Sequence, residues 1–339
     1  YGLPEKIGGW NQLTAASLTL PGAARAQHTW TSIAGEKYAA IGTSQGLFLY
    51  YGNDFYDISP LDTAITSCTF TTTNNSATVT INKNTHGLSA GRYFTFTSVT
   101  LPGSGTGYTA SDFTTGAYEV VTADTNSFTI TMASVESGAG ITAAGSATIN
   151  PYVEVGPTFQ TAGYGWGTDT WSTSTWGTER TISNVILEPG NWSLDNFGEV
   201  LVATITGNKT FTWNAGASNA RTIRASTTTT NFSTSNNPTS SRLTQVSDRD
   251  RHLFHFGTET TIGDTTTVDP LFIRFSNQED LNTYTPTSVN TAGSFRLDKG
   301  NKIVGAVSGK DYTLVLTDSS AYVIQFVGPP FTFSVKQVG

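Results

Sequence analysis

Lys37-Tyr38-Ala39-Ala40-Ile41-Gly42 leads through a turn into Gly46-Leu47-Phe48-Leu49-Tyr50-Tyr51. Gly52-Asn53-Asp54 then turns the chain into Phe55-Tyr56-Asp57-Ile58. Three short β runs joined by Gly/Asn turns make an antiparallel meander. The same shape recurs three times. Val200-Leu201-Val202-Ala203-Thr204 is followed by Gly207-Asn208 and Thr210-Phe211-Thr212-Trp213. His252-Leu253-Phe254-His255-Phe256-Gly257 is followed, after a polar loop, by Leu271-Phe272-Ile273-Arg274-Phe275. Tyr312-Thr313-Leu314-Val315-Leu316 is followed by Asp318-Ser319-Ser320 and Ala321-Tyr322-Val323-Ile324-Gln325-Phe326. A short meander repeated at a fixed scale is the sign of propeller blades. The first run of each unit is almost wholly apolar, as a strand covered on both faces would be. A β-sandwich is the alternative, because its strands recur at similar spacing.

Composition agrees with an all-β chain. Of 339 residues 60 are Thr, 12% are aromatic and only 13% are charged. Thr favours pleated, half-buried surfaces. Disordered chains are poorer in aromatics and richer in charge, and helical bundles need more Ala, Leu, Glu and Lys at helical spacing. The net charge of −7 comes with no basic stripe, which excludes the electrostatic footprint of a tight nucleic-acid binder. Cys68 is the single cysteine, so no intrachain disulfide or cysteine-based metal site can form. No apolar run approaches the roughly 18 residues of a membrane span. The chain opens Tyr1-Gly2-Leu3-Pro4 without Met and ends on the strand-like Val335-Lys336-Gln337-Val338-Gly339. Those ends are expected of the ordered part of a longer protein.

Residues 63–151 differ in character from what flanks them. Between Thr63 and Asn150 there are four acidic and two basic residues. Ala77-Thr78-Val79-Thr80-Ile81, Tyr93-Phe94-Thr95-Phe96, Ala117-Tyr118-Glu119-Val120-Val121 and Ser127-Phe128-Thr129-Ile130-Thr131 alternate with period two. One face is therefore buried and the other wet. We read a small β-barrel or β-sandwich inserted into a propeller-like body of residues 1–62 and 152–339. Ala225 to Ser241 is nearly all Thr, Ser and Asn, and is expected to be an exposed loop without a core.

Few residues invite a chemical role. His252 and His255 lie near Asp248 and Asp250, but strand positions three apart point to opposite faces, so no metal site is expected. His86 in His86-Gly87-Leu88-Ser89-Ala90-Gly91 reads as a turn histidine bonded to backbone. No Gly-x-Ser-x-Gly elbow supplies it with a nucleophile. Adjacent Glu279 and Asp280 should point apart, which does not suit the paired carboxyls of a glycosidase. No phosphate loop, dinucleotide fingerprint or HExxH pattern is present, so no cofactor and no enzymatic activity are expected. Trp166, Trp171 and Trp176 recur every five residues in a Gly/Thr-rich linker. They are candidates for an interface, or for stacking on a sugar or a base.

Several segments resemble a known family. Leu3-Pro4-Glu5-Lys6-Ile7-Gly8-Gly9-Trp10, Gly22-Ala23-Ala24-Arg25-Ala26 and Ala40-Ile41-Gly42-Thr43 look like parts of a bacteriophage virion protein. So do Leu49-Tyr50-Tyr51, Tyr56-Asp57-Ile58-Ser59-Pro60 and Asn191-Trp192-Ser193-Leu194-Asp195-Asn196-Phe197-Gly198-Glu199. Arg274-Phe275-Ser276-Asn277-Gln278-Glu279-Asp280 and Val327-Gly328-Pro329-Pro330-Phe331 complete the set. The stretch from His86 to Ile130 is similar to a small β module of phage tail proteins. Within phages the chain looks most like the tail nozzle or hub of short-tailed viruses. That resemblance implies a homo-oligomer, a hexamer in the family, set below the portal and adaptor and beside tail fibres. It implies a wall past which genomic double-stranded DNA slides without sequence-specific binding, and no catalytic motif to carry over. Two other readings stay open: a receptor- or carbohydrate-binding tail protein, and a propeller glycan hydrolase.

Overall fold

The computed structural model describes residues 20–157, 188–218, 220–227, 236–247, 249–328 and 331–339. They form four small antiparallel sheets of propeller-blade type and one larger sheet that lies between the first two blades in sequence. Blade 1 comprises β1 (Ala24–Thr31), β2 (Lys37–Thr43), β3 (Leu47–Tyr51) and β4 (Asp54–Asp57). The larger sheet follows, with β5 (Ile65–Thr73), β6 (Thr78–Asn82), β7 (Tyr93–Thr100), β8 (Ala117–Glu119), β9 (Thr122–Ala123), β10 (Ser127–Thr131) and β11 (Gly140–Pro151). Blade 2 has β12 (Trp192–Phe197), β13 (Val200–Ile205) and β14 (Thr210–Asn214). Blade 3 has β15 (Ser241–Val246), β16 (Leu253–Thr258), β17 (Phe272–Phe275) and β18 (Gly293–Arg296). Blade 4 has β19 (Ile303–Ser308), β20 (Thr313–Thr317), β21 (Ala321–Gly328) and β22 (Thr332–Gln337).

Each blade is a meander in chain order. The apolar runs of the sequence are the second strands, β2, β13, β16 and β20. β13 and β16 are buried along their whole length, as strands clamped between neighbouring blades must be. Every unit therefore begins one strand earlier than its apolar run suggests. The preceding strands are β1 (ARAQHTWT), β12 (WSLDNF), β15 (SRLTQV) and β19 (IVGAVS). They are innermost strands whose successive residues line a central cleft as well as the seams.

The blades meet at three seams, each with its own apolar cluster. Blade 1 presents Trp30, Tyr38, Leu47 and Leu49 to Trp192, Leu201, Phe211 and Trp213 of blade 2. Trp30, Tyr38 and Tyr51 stack in series at 5.4 and 4.9 Å, and Trp213 meets Tyr38 edge-on at 5.6 Å. The Trp213 ring N–H donates to Ala220 O at 3.0 Å, so its burial leaves no orphan donor. Trp192 lies flat on Gly42 and donates to Thr43 O at 2.8 Å. A Cβ at position 42 would stand 2.5 Å from the Trp192 ring, so only glycine permits the contact. At the second seam Phe197, Val200 and Val202 meet Val246, Leu253, Leu281 and Tyr284. At the third, Phe254, Phe256 and Phe275 meet Ile303, Val315, Tyr322, Ile324 and Phe333. Each fully buried large side chain contributes roughly 1.5–3 kcal/mol, so the seams hold the arc without disulfides.

The seven-stranded sheet has the order β8-β7-β11-β5-β6-β10-β9 and curls into a half-barrel over its own core. Phe70, Phe94, Phe96 and Phe128 fill its inside, together with Phe113 from the short helix α1 (Ala110–Phe113). The wet faces of β5, β6, β10 and β9 align Thr71, Thr80, Thr129 and Thr122 in one rank across four strands. Alternation in the sequence placed these residues on the outside. The chain leaves and re-enters the blades side by side. Leu61 bridges Tyr152, and Asp62 N donates to Pro151 O at 2.8 Å. Arg224, which follows blade 2, donates to Asp57 Oδ2 at 2.9 Å and to Ser59 O at 3.0 Å. The Tyr152 hydroxyl donates to the same Asp57 carboxyl. Three stretches far apart in sequence are thus tied at one point.

At its two ends, the stretch from Ala225 to Ser241 is tied into the blades rather than exposed. Ala225 and Ser241 are buried, and Ala225 N donates to Ile58 O at 2.9 Å. Ser226 and Thr212 exchange two backbone bonds along the outer edge of blade 2. Residues 228–235, the middle of that stretch, lie outside the described residues.

Candidate functional site

The first strands β1, β12, β15 and β19 lie next to one another at the inner rim of the arc and line a cleft of about 680 Å³. Arg25 and His28 come from β1, Asp195 from β12 and Arg242 from β15, while Glu188 stands just before β12. Trp192, Leu194, Leu243, Val304 and Ala306 form the apolar part of the lining.

The charges in the cleft are matched locally. Arg242 Nη2 donates to Glu188 Oε2 at 2.8 Å, and Lys302 Nζ donates to the other oxygen of that carboxylate. Hydrogen bonds from Lys302 and then Arg242 hold the Glu188 carboxyl below the usual carboxylate range. Asp195 Oδ2 accepts from Val246 N at 2.7 Å, and its other oxygen lies 3.9 Å from His28 Nε2. The same His28 nitrogen is 2.8 Å from Asn196 Oδ1. Arg25 Nη1 donates to Gly190 O at 3.2 Å. Two arginines and two carboxylates line the cleft, so its formal charge cancels.

The pattern extends over the molecule. Of the nine described arginines, Arg92, Arg224, Arg242, Arg249, Arg251 and Arg296 pair with carboxylates. Arg25 and Arg274 bond backbone carbonyls, and Arg221 sits 4.6 Å over the Tyr51 ring.

The titratable residues singled out in the sequence have structural settings. His255 is sealed inside blade 3, with Nδ1 2.8 Å from Ser241 Oγ and Nε2 3.1 Å from Tyr284 Oη. The Ser–His–Tyr order resembles a nucleophile with its base. All three are fully or almost fully buried, and no substrate could reach the serine. Burial, followed by the nearby Arg274 charge, pushes His255 down to about 3, so the ring is neutral. His252 points the other way, into Phe275, Phe326 and Phe333 at the third seam, and burial pushes it down to about 4. His86 accepts from Leu88 N at 3.0 Å through Nδ1, and its Nε2 lies 2.7 Å from Asp124 O. Glu279 pairs with Arg251, while Asp280 caps Asn282 N and Thr283. Among the described residues no three His, Cys, Asp or Glu side chains gather as metal ligands. Trp166, Trp171 and Trp176 lie outside the described residues. The cleft residues Arg25, His28, Glu188, Asp195 and Arg242 had no local signal, because three separate segments deliver them.

A glycosidase acid needs a carboxyl pushed upward toward neutrality. Glu188 is shifted the opposite way, and its carboxylate oxygens are already engaged by Arg242 and Lys302.

No known family model matches the chain, and no curated protein does. Among solved structures the chain is similar to the phage phi92 endosialidase, at 14% identity and a TM-score of 0.22. The match covers 90% of this chain and 54% of that one, so the chain spans about half the length of that protein.

Proposed function

We propose that this chain is a structural protein of a bacteriophage tail, present in the virion, and that it belongs to the nozzle or hub on the tail axis. Its proposed task is to wall a passage for double-stranded DNA, as an oligomer held beneath portal and adaptor proteins. The segments that resemble nozzle proteins support the tail assignment. The observation that supports the conduit role is that six of the nine described arginines pair with carboxylates, Arg242 in the cleft among them. Phosphate binding draws its strength from cations free to release counterions. A wall whose arginines are mostly paired with carboxylates would hold a polyanion weakly and let it slide past. A cleft of about 680 Å³ takes no duplex, so copies around an axis form the passage and each arc supplies part of the wall. The proposal assigns no catalytic step and no cofactor.

Binding of a random duplex at low salt tests this reading. The unsubstituted chain should bind weakly. Glu188→Gln leaves Arg242 and Lys302 without their carboxylate and should steepen the salt dependence of log K by roughly two. Tight, strongly salt-dependent binding by the unsubstituted chain would sink the conduit role. Specific capture of a glycan would favour the adhesin reading instead.

A further inference from the structure

One strand of the seven-stranded sheet is paired unequally on its two sides. β7 pairs with β11 from Phe94, opposite Pro151, to Thr100, opposite Ser146, with one register shift between Phe96 and Ser98. On its other side it pairs with β8 through Tyr93, Phe94 and Thr95 alone. Ala117, opposite Thr95, is the first residue of β8, and Thr114, Thr115 and Gly116 before it lie outside the sheet. From Phe96 to Thr100 no strand among the described residues lies on that side. Thr97, Ser98 and Thr100 are exposed. Backbone N–H and C=O groups left open along a strand are a template for another strand. Such edges are ordinarily blunted by a charge or a proline, and Phe96-Thr97-Ser98-Val99-Thr100 has neither.

A cleft of about 610 Å³ opens beside this edge, between the larger sheet and blade 1. Phe94 and Phe96 point into the core of the sheet, so the alternate residues Tyr93, Thr95 and Thr97 share its outer face and line the cleft. Phe48, Leu61 and Tyr152 stand across from them. The two charged side chains of the lining, Arg224 and Asp57, bond each other at 2.9 Å.

We propose that the edge of β7 from Phe96 to Thr100 takes an extended, uncharged peptide segment of another protein as an added strand. The segment continues the line of β8, and its backbone pairs with the open groups of β7. Every second side chain of an added strand stands on the outer face, beside Thr97. One of these, apolar or aromatic, enters the cleft against Phe48, Leu61 and Tyr152. Two independent features fit this occupant: the open ladder calls for a backbone, and the adjoining cleft calls for a side chain. The Arg224–Asp57 pair leaves no unmatched charge to attract an ionised one. The inference concerns a binding edge on the larger sheet and does not depend on what the blades conduct.

Hydrogen exchange on the full chain tests it, with and without a seven-residue peptide of alternating threonine and valine around a central phenylalanine. In the free chain, amides within residues 96–100 should exchange faster than those of β5, which is paired on both sides. Adding the peptide should slow them. The same peptide N-methylated at alternate residues should bind at least about tenfold more weakly, because several backbone bonds are lost at once. Thr97→Lys puts a charge on the exposed edge, and Ala117→Trp fills the cleft. Each should weaken binding by about tenfold. Circular dichroism and the thermal midpoint verify folding, and the exposed position 97 carries the test if the tryptophan variant misfolds. Edge amides as protected in the free chain as those of β5 would overturn the proposal, because the edge would already be occupied. So would failure of the peptide to bind, binding that leaves the edge amides fast, or binding that survives Thr97→Lys.

Discussion

The two buried histidines of blade 3 make the protein acid-sensitive as pH falls below the ordinary histidine range. In the unfolded chain His252 and His255 ionise near 6.5, whereas folding pushes them to about 4 and about 3. A folded value below the unfolded one means that, as pH falls under 6.5, the unfolded chain takes up protons the folded chain refuses. Stability is therefore complete above that pH and is lost progressively down to the folded values. At about pH 5 each histidine has cost roughly 2 kcal/mol, or about 4 kcal/mol together, at 1.36 kcal/mol per pH unit. That is a large share of the roughly 5–15 kcal/mol that stabilises a typical domain. Carboxylates held low, such as Glu188 and Glu136, add their own loss only as pH falls below the ordinary carboxylate range. Urea unfolding followed by tryptophan fluorescence, in steps from about pH 7.5 to about pH 5, measures the effect directly. His255→Gln should cut the pH dependence by about half, whatever it does to stability at neutral pH. Stability that stays level across this window, or a slope unchanged in His255→Gln, would refute the reasoning.

Other consequences follow from single contacts. Gly42→Ala places a Cβ 2.5 Å from the Trp192 ring and should destabilise the first seam by about 1–3 kcal/mol, read from the urea midpoint at constant m. Arg224→Met removes the group that ties Asp57, Ser59 and Tyr152 together. Hydrogen exchange should then quicken at residues 58–65 and 151–157 while the core strands of the larger sheet keep their protection; uniform protection would contradict this. On a glycan array the unsubstituted chain should give no specific signal. A hit abolished by replacing Trp166, Trp171 and Trp176 with Ala would move the assignment to an adhesin.

The sequence revealed most about the parts of the chain that are buried on both sides. β13 and β16 read as unbroken apolar runs because a blade covers each of their faces, so the meander and its repetition were visible. The wet faces of β6 and β10 were visible through alternation. The inner strands were not. His28 and Trp30 share a face of β1 and stack at 6.0 Å, and Asp195 and Phe197 share a face of β12, so polar and apolar residues are mixed on one face and such strands give no clean period. The site is built from these strands, and its pairings join residues far apart in the chain, so no spacing announces it. Trp192 shows the same limit. Its ring serves as a staple only because Gly42, in another sheet, leaves it room.

The tail-axis proposal is tested most directly by the place of this chain in an intact particle, seen by cryo-electron microscopy. Density for the arc on the tail axis, repeated around it, with β1, β12, β15 and β19 facing the passage, is the expected result. Density on a peripheral fibre or spike would contradict it.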